Sequence, residues 1–388
     1  MTRKLTGSDQ AGPLSGVLVA DFSRILAGPY ATMLLADLGA TVVKVESPQG
    51  DDTRTWGPPW TKDGVSTYFL SVNRNKRSVV LDLGTPEDRA RALTLVGRAD
   101  VVVQNLRVAS LRRLGLDYDS LRSSNPGLVY CSITGFGSAA GATLPGYDLV
   151  VQAVSGLMSL TGPDPETPTK TGIATADVLT GLHAALGILA ALHHRSATGR
   201  GQLVEVNLMS SMISGLVNFG GAYALTGEVA HGMGIRHPGI CPYEPFDTAD
   251  RRLVIAAAND KLFASLCGCL GLPDLVVDPR FRTNPDRVAH RDELGALLSA
   301  VLMTRTADEW FDLLTGAGVP CGPINDVAQG MALADDLGLE PLVDVDGVAQ
   351  VAHPVRLSAT PATYRASPPG LGADGAELLA WLDAEAPA

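Results

Sequence analysis

Val17-Leu18-Val19-Ala20-Asp21 is a short apolar run closed by an aspartate. Gly28-Pro29 then opens a helical pattern that lasts to Leu38, with Pro29 at the first helical position, where its missing N–H costs nothing. Gly39 closes that helix and Thr41–Val45 is a second, β-branched run. Strand, helix and strand in such close succession form a crossover unit, whose two strands pair parallel. The pattern repeats downstream. Val79–Leu83, Val101–Val103, Val129–Ile133 and Leu203–Leu208 are strand candidates, separated by helical stretches such as Pro86–Arg98 and a long one around Ala176–Arg195 that ends at Gly199-Arg200-Gly201. The repetition predicts an α/β protein whose mainly parallel sheet is covered on both faces.

From about Gly232 the texture changes. Pro238, Pro242 and Pro245 crowd a loop, Leu253–Ala258 reads as a strand, and helices follow at Lys261–Leu270, Arg291–Met303 and Ala307–Ala317. The chain of 388 residues has room for two domains. The expected layout is a large α/β domain over 1–205, completed by 345–388, and a smaller α/β domain over 232–325. A linker over 206–231 and a return linker over 326–344 join them. The tail from Leu357 is rich in Pro, Ala and Gly and ends in a short helix, Ala376–Leu382.

A hydrophobic share of 46% supports a full core, and the net charge of −11 argues against a nucleic-acid partner, which needs a basic stripe. Lys and Arg are scattered, with small clusters at Arg74-Asn75-Lys76-Arg77 and Arg112-Arg113 that suit a phosphorylated small molecule at most. Cys131, Cys241, Cys267, Cys269 and Cys321 are odd in number and lack a Cys-x-x-Cys pair, so neither a disulfide framework nor a zinc site is expected, and all five read as buried small hydrophobes. No other cluster has metal-ligand spacing. Met1–Gly12 is polar without a signal core, and the most apolar helix, around Gly181–Leu192, falls short of the roughly 20 residues that span a bilayer. It reads as a buried core helix, and the protein as cytoplasmic, without a membrane partner.

The turn after the first strand bears on a nicotinamide cofactor. Backbone amides approach a pyrophosphate through G-x-G-x-x-G, whereas Phe22–Pro29 offers one glycine and loses an amide at Pro29, which disfavours an oxidoreductase. Several ordered motifs accompany that turn. They are Asp21-Phe-Ser-Arg-Ile-Leu-Ala-Gly-Pro29, Leu38-Gly-Ala-Thr-Val-Val-Lys-Val-Glu46, Asn73-Arg-Asn-Lys-Arg-Ser78 with Leu81-Asp82-Leu83, and Ala99-Asp-Val-Val-Val-Gln-Asn-Leu106 with Leu114-Gly115. Gly135-Phe-Gly137, Gly146-Tyr-Asp148, Ala176-Asp177 with Gly181, and Thr198-Gly-Arg-Gly-Gln202 follow, then more weakly Asn259-Asp260 and Pro279-Arg-Phe281. The ordered set resembles the class III CoA-transferases, the superfamily of formyl-CoA and carnitine CoA-transferases and α-methylacyl-CoA racemase.

The resemblance implies a Rossmann-like large domain plus a smaller one, in an interlocked homodimer. Acyl-CoA and a free carboxylic acid are then the small-molecule partners, with coenzyme A as substrate and no tightly bound cofactor. It also makes Asp177 the nucleophile. A carboxylate attacks a thioester to give a mixed anhydride, and the released thiolate returns to form an aspartyl-CoA thioester, which splits one transfer into easier steps. Near a helix N-terminus the macrodipole favours the ionised form such a nucleophile needs, by roughly 0.3–1 kcal/mol. Spacing alone leaves Asp177 an ordinary first-turn acid; the resemblance selects it. Tyr147 stands where the racemases carry histidine. Phenols ionise near pH 10 and imidazoles near about 6.5, so Tyr147 favours transfer over proton exchange.

The resemblance also places Ile25, Leu26 and Ala27 along the pantetheine, Leu81, Asn105 and Leu106 beside adenine and ribose, and Arg113 on a phosphate, a role for which its donor fork is suited. Gly84 and Ser47 depart from relatives that carry lysine and arginine there, which turns attention to Lys76 or Arg77. Gly232-Met-Gly-Ile-Arg-His-Pro-Gly239 matches a loop that folds over the site, so Gly232 and Gly234 position substrate, and Arg236 and His237 are candidates for a second carboxylate on a dicarboxylic acceptor. His183, inside the long helix, reads as packed or exposed rather than catalytic. Succinyl-CoA is a candidate donor. Two alternatives stay open at this point: an acyl-CoA racemase or epimerase, and a CoA-binding protein without turnover.

Overall fold

The computed structural model describes residues 12–384, so the polar segment Met1–Gly12, Gly12 apart, lies outside the described residues. The chain forms two compact units. The first runs to Leu157, resumes over Lys170–Val229 and takes in everything from Glu340 on; the second joins Met158–Thr169 to Ala230–Leu339.

The first unit is built on β1 (Leu18–Asp21), β2 (Thr41–Glu46), β3 (Lys76–Val80), β4 (Val101–Gln104), β5 (Val129–Thr134) and β6 (Leu203–Asn207). They form one parallel sheet in the order β3-β2-β1-β4-β5-β6. Its strands are nearly all apolar because both faces are covered. Val19, Val42, Val101, Val103 and Val129 point into a core with the helices Ala27–Asp37 and Thr175–Thr198. Their neighbours Ala20, Val43, Val45 and Val102 enter the opposite core with the helices Pro86–Arg98 and Gly375–Asp383.

Three expectations change. The third strand begins at Lys76 rather than Val79, because Lys76 and Ser78 bury their polar ends on Asp21 and Glu46 and so do not read as a strand by hydrophobicity. The segment expected as a linker over 206–231 carries the helices Leu208–Gly215 and Val217–Thr226. The long helix spans 24 residues and holds an 18-residue window of mean hydropathy 1.5, long and apolar enough to cross a bilayer, yet only 39% of that window is buried. Its inner face packs through Ala184 and Ile188, while Leu182 and Leu186 on its outer face are exposed.

In the second unit β7 (Tyr243–Asp247), β8 (Arg252–Ala256) and β9 (Cys321–Pro323) form an antiparallel sheet. Pro245, read as a loop residue, sits inside β7, which is an edge strand and tolerates the missing N–H. Helices Asp260–Leu270, Arg291–Leu302 and Ala307–Gly316 cover the sheet through Phe263, Leu266, Leu298 and Trp310. In the first unit β10 (Leu342–Val345) and β11 (Val348–Val351) make a hairpin that the sequence reading missed, although Asp346-Gly347, both at positive φ, is a strong turn signal.

Candidate active site

In this strand order the chain leaves β1 toward β2 and leaves β4 toward β5, so a crevice opens outside the carboxyl ends of β1 and β4, where open α/β sheets bind ligands. Two loops border it. The Asn105 amide locks them together, donating to the Arg24 carbonyl at 2.7 Å and accepting from the Arg24 N–H at 2.9 Å. Asn105 is thereby a brace between loops. Beside it Ile25, a β-branched residue, holds φ of 72°, and its N–H donates to the Asp51 carboxylate at 3.2 Å. Such a conformation costs about 1–3 kcal/mol and persists only where the surroundings over-determine it. Asp51 is itself fixed by the buried Lys44 ammonium at 2.9 Å. Ile25 and Leu26 are half-buried, and Ala27 starts the next helix.

Beneath these loops lies a buried ionic layer. Burial alone would raise the Asp21 carboxyl, but Lys76 and Lys44, with the Ser23 and Thr32 hydroxyls, hold it below its ordinary range. Lys76 spends its ammonium on Asp21 at 3.2 Å and on Pro29 and Asn73 oxygens at 2.9 Å, and burial pushes it down to about 8. Arg77 is taken by Asp374 and Glu377. Neither is the free phosphate cation that the Gly84 and Ser47 departures called for. Arg113 is exposed and touches only the Ser110 hydroxyl, at 3.3 Å, among the hydrogen bonds seen. Leu106 lies half-buried after β4, its N–H on the Gln104 side chain at 2.8 Å. Leu81 is 1% exposed in the sheet core, so its side chain is not available to an adenine.

A crossover helix from β5 to β6 starts at the same carboxyl edge, which brings the first turn of Thr175–Thr198 there. Gly181 lets it approach closely: a Cβ on Gly181 would stand 2.8 Å from the Ala27 carbonyl oxygen. Asp177 lies one turn earlier on the same helix face as that contact. It is half-buried, and among the described residues no donor or cation holds its carboxylate.

The ionisation of Asp177 departs from expectation. Its helix has no side-chain cap of its own at Ala174. Asp148, at the start of the helix Asp148–Val154, supplies one from a distance: its Oδ1 accepts from Ala176 N at 2.8 Å and Asp177 N at 3.3 Å. The buried Gln152 amide steadies Asp148 Oδ2 at 2.7 Å while its oxygen accepts from Thr171 N at 3.0 Å. The helix-end amides thus serve Asp148, whose own charge faces Asp177. Burial pushes the Asp177 carboxyl up to about 7, and Asp148 adds to the rise. These two effects outweigh the macrodipole that the sequence reading relied on.

Tyr147, the residue before that helix, is 60% exposed. Gly135 and Gly146 hold the segment down, since a Cβ on Gly146 would come within 2.5 Å of the Gly135 Cα. Tyr68, Asp148 and Gln152 are the residues that sequence reasoning did not assign. Burial, and then the charges of Asp177, Asp148 and Asp51, push the Tyr68 phenol up to about 12, so it stays a proton donor near Asp177. No local pattern marks Tyr68; Asp148 had a signal in its place after Gly146-Tyr147.

The glycine-bearing loop lies in the second unit. Gly234 N donates to the Gly162 carbonyl at 2.7 Å, and a Cβ on Gly232 would meet that same oxygen at 3.1 Å. Arg236 is held by the buried Glu244 at 2.9 Å and by Asp292 at 3.0 Å, so its guanidinium already has two carboxylates. His237 packs its ring on Tyr243 and accepts from Gly239 N at 3.1 Å.

Residues 14–375 match the model of CoA-transferase family III. The chain is 42% identical to a succinate–glutarate CoA-transferase of Agrobacterium fabrum, across 96% of each chain. It is 40% identical to a succinyl-CoA:glutarate CoA-transferase of Mus musculus, over 97% of this chain and 88% of that one. A crystal structure of a CaiB/BaiF family protein from Brucella suis superposes with a TM-score of 0.88 at 42% identity, covering 96% of this chain and all (100%) of that one. The motifs quoted from Asp21 to Gln202 thus sit in a match that spans nearly the whole sequence, and the chain belongs to CoA-transferase family III and is a CoA-transferase.

Proposed function

We propose that the protein moves coenzyme A from succinyl-CoA to a second carboxylic acid of the dicarboxylate class, with Asp177 as the covalent nucleophile. The observation that carries the reading is the half-buried Asp177 carboxylate, without a cation or donor partner among the described residues, one helical turn from the close contact of Gly181 with Ala27. The relatives named for succinate, succinyl-CoA and glutarate support the donor and acceptor classes.

In this reading a carboxylate oxygen of Asp177 attacks the acyl carbon, the C–S bond breaks, and CoA leaves as thiolate. The thiolate then attacks Cγ of Asp177 in the mixed anhydride. The Cγ–O bond breaks and the donor acid departs with one oxygen from Asp177. The acceptor carboxylate repeats the exchange in reverse and returns one of its own oxygens to Asp177. Desolvation raises the basicity of the attacking carboxylate, and in this reading the neutral Tyr68 phenol donates to an oxygen of the reacting acyl group. Tyr147 positions substrate, Ile25, Leu26 and Ala27 lie along the pantetheine, Leu106 borders the nucleotide, and Arg113 takes a phosphate.

The protein works as an interlocked homodimer of two α/β domains per chain in this proposal. The exposed Leu186, Val217, Tyr223 and Leu225 on adjoining helices of the first unit support a second copy as cover. The five free cysteines fit a reducing, cytoplasmic setting. The test is intact-protein mass spectrometry after incubation with a panel of acyl-CoA thioesters. A CoA-sized, hydroxylamine-sensitive adduct is expected on the wild type and not on Asp177→Ala. Absence of an adduct with every donor, despite CoA binding, defeats the assignment.

A further inference from the structure

We infer that Asp148 is a positioning residue for the transfer: it docks the N-terminus of the Asp177 helix and, through its charge, favours the covalent aspartyl-CoA state over the free carboxylate. The inference rests on the reading of Asp177 as nucleophile. Asp148 reaches across from another helix, yet its Oδ1 occupies two amides of the Asp177 helix, those of Ala176 and Asp177 itself. Its Oδ2 is tied to Gln152, which is 1% exposed and also holds Thr171 N and the Ile173 carbonyl, the two residues leading into that helix. One side chain therefore registers the nucleophile against the segment that precedes it.

That same contact puts two acidic side chains next to each other in a partly dry site. A cap made by serine or threonine satisfies the amides without a charge. Aspartate adds repulsion that the free enzyme bears and the covalent enzyme does not. When Asp177 is acylated its negative charge passes to the departing CoA thiolate, and when that thiolate displaces the acyl carboxylate from Cγ the charge leaves with the donor acid, so Asp177 remains neutral as a thioester. Desolvation and repulsion are both relieved on acylation and stay relieved in the thioester. The groups that face Asp177 are Asp148 from its helix and Tyr68 from the helix Thr67–Ser71, whose phenol stays neutral, so Asp148 is the facing charge.

The test uses Asp148→Asn, which keeps an oxygen for the two amides and removes the charge. Enzyme is equilibrated at a fixed succinyl-CoA to succinate ratio, quenched in acid and weighed intact. Removing a neighbouring like charge shifts a carboxyl by about one unit, so the ratio of aspartyl-CoA to free enzyme is expected to fall roughly tenfold in the variant above the carboxyl's pKa. The acid limb of kcat/KM for succinyl-CoA, which reports the free enzyme, is expected to move down by about one pH unit. A purely structural cap would leave that limb in place. Asp148→Ser, which also removes the charge, gives the same readouts if the asparagine variant does not fold. A ratio within about twofold of wild type, or an unmoved limb, overturns the inference while leaving Asp177 intact. No adduct on the wild type instead removes the nucleophile reading, and this inference with it.

Discussion

Replacing Asp177 by asparagine should stabilise the protein at alkaline pH while abolishing transfer. The folded carboxyl stands at about 7 against an ordinary 3.8, first through burial and then through Asp148. Between those values the native state holds a proton that the unfolded chain has released, so wild-type stability falls as pH rises through the window and the loss is complete above about 7. At about 1.36 kcal/mol for each tenfold, the full difference is about 4 kcal/mol, and solvent reaching a half-buried group reduces it to about 2 kcal/mol. An unfolding entropy of about 2.1 cal/mol/K per residue over 388 residues turns that range into about 2–5 °C. Asparagine has the same shape and no titration. Thermal unfolding of ligand-free wild type and Asp177→Asn at pH 4.5 and 8.5 reads the effect: a small difference at the lower pH, the full gain at the higher. An equal difference at both, or a less stable variant at pH 8.5, would refute the reasoning.

Gly146→Ala forces a methyl to within 2.5 Å of the Gly135 Cα, with backbone on both sides and no flexible side chain to yield. Overpacking of this kind costs about 1–3 kcal/mol, and the displaced Tyr147-Asp148 segment should lower kcat more than it raises KM for CoA; denaturant titration and steady-state kinetics check the two parts. Arg236→Ala should leave KM for a dicarboxylic acceptor within twofold, since Glu244 and Asp292 already hold the guanidinium, whereas a tenfold rise in KM would show that it leaves them for substrate.

The alternation of apolar runs and helical patterns from Val17 to Leu208 was enough to specify a covered parallel sheet, because strands such as Val101–Val103 have no polar face to obscure them. β3 was misplaced for the complementary reason: its first residues are charged, and only the fold reveals that Asp21 waits beneath Lys76. The same blindness made Lys76 look like a phosphate cation. The helix start at Asp177 was legible from local pattern, and Gly135, Gly146 and Gly181 were visible as motif glycines, although their role as close contacts between distant segments was not.

What local pattern cannot carry is the ionisation state of Asp177. A first-turn aspartate on an isolated helix is held ionised by the amides around it. Here those amides are claimed by a residue from another helix, and the claimant is itself acidic. The sign of the electrostatic effect on Asp177 is therefore set by which of two aspartates reaches the helix end first, a question of packing between the Gly135–Gly146 contact and the Gly181–Ala27 contact. A group that is hard to ionise is a poor structural anion and a more basic nucleophile, and the cost of its charge disappears once it is acylated. Under the proposed mechanism the feature that lowers the stability of the resting enzyme is the feature that favours the covalent intermediate, which is why the asparagine variants at 148 and 177 separate the two roles.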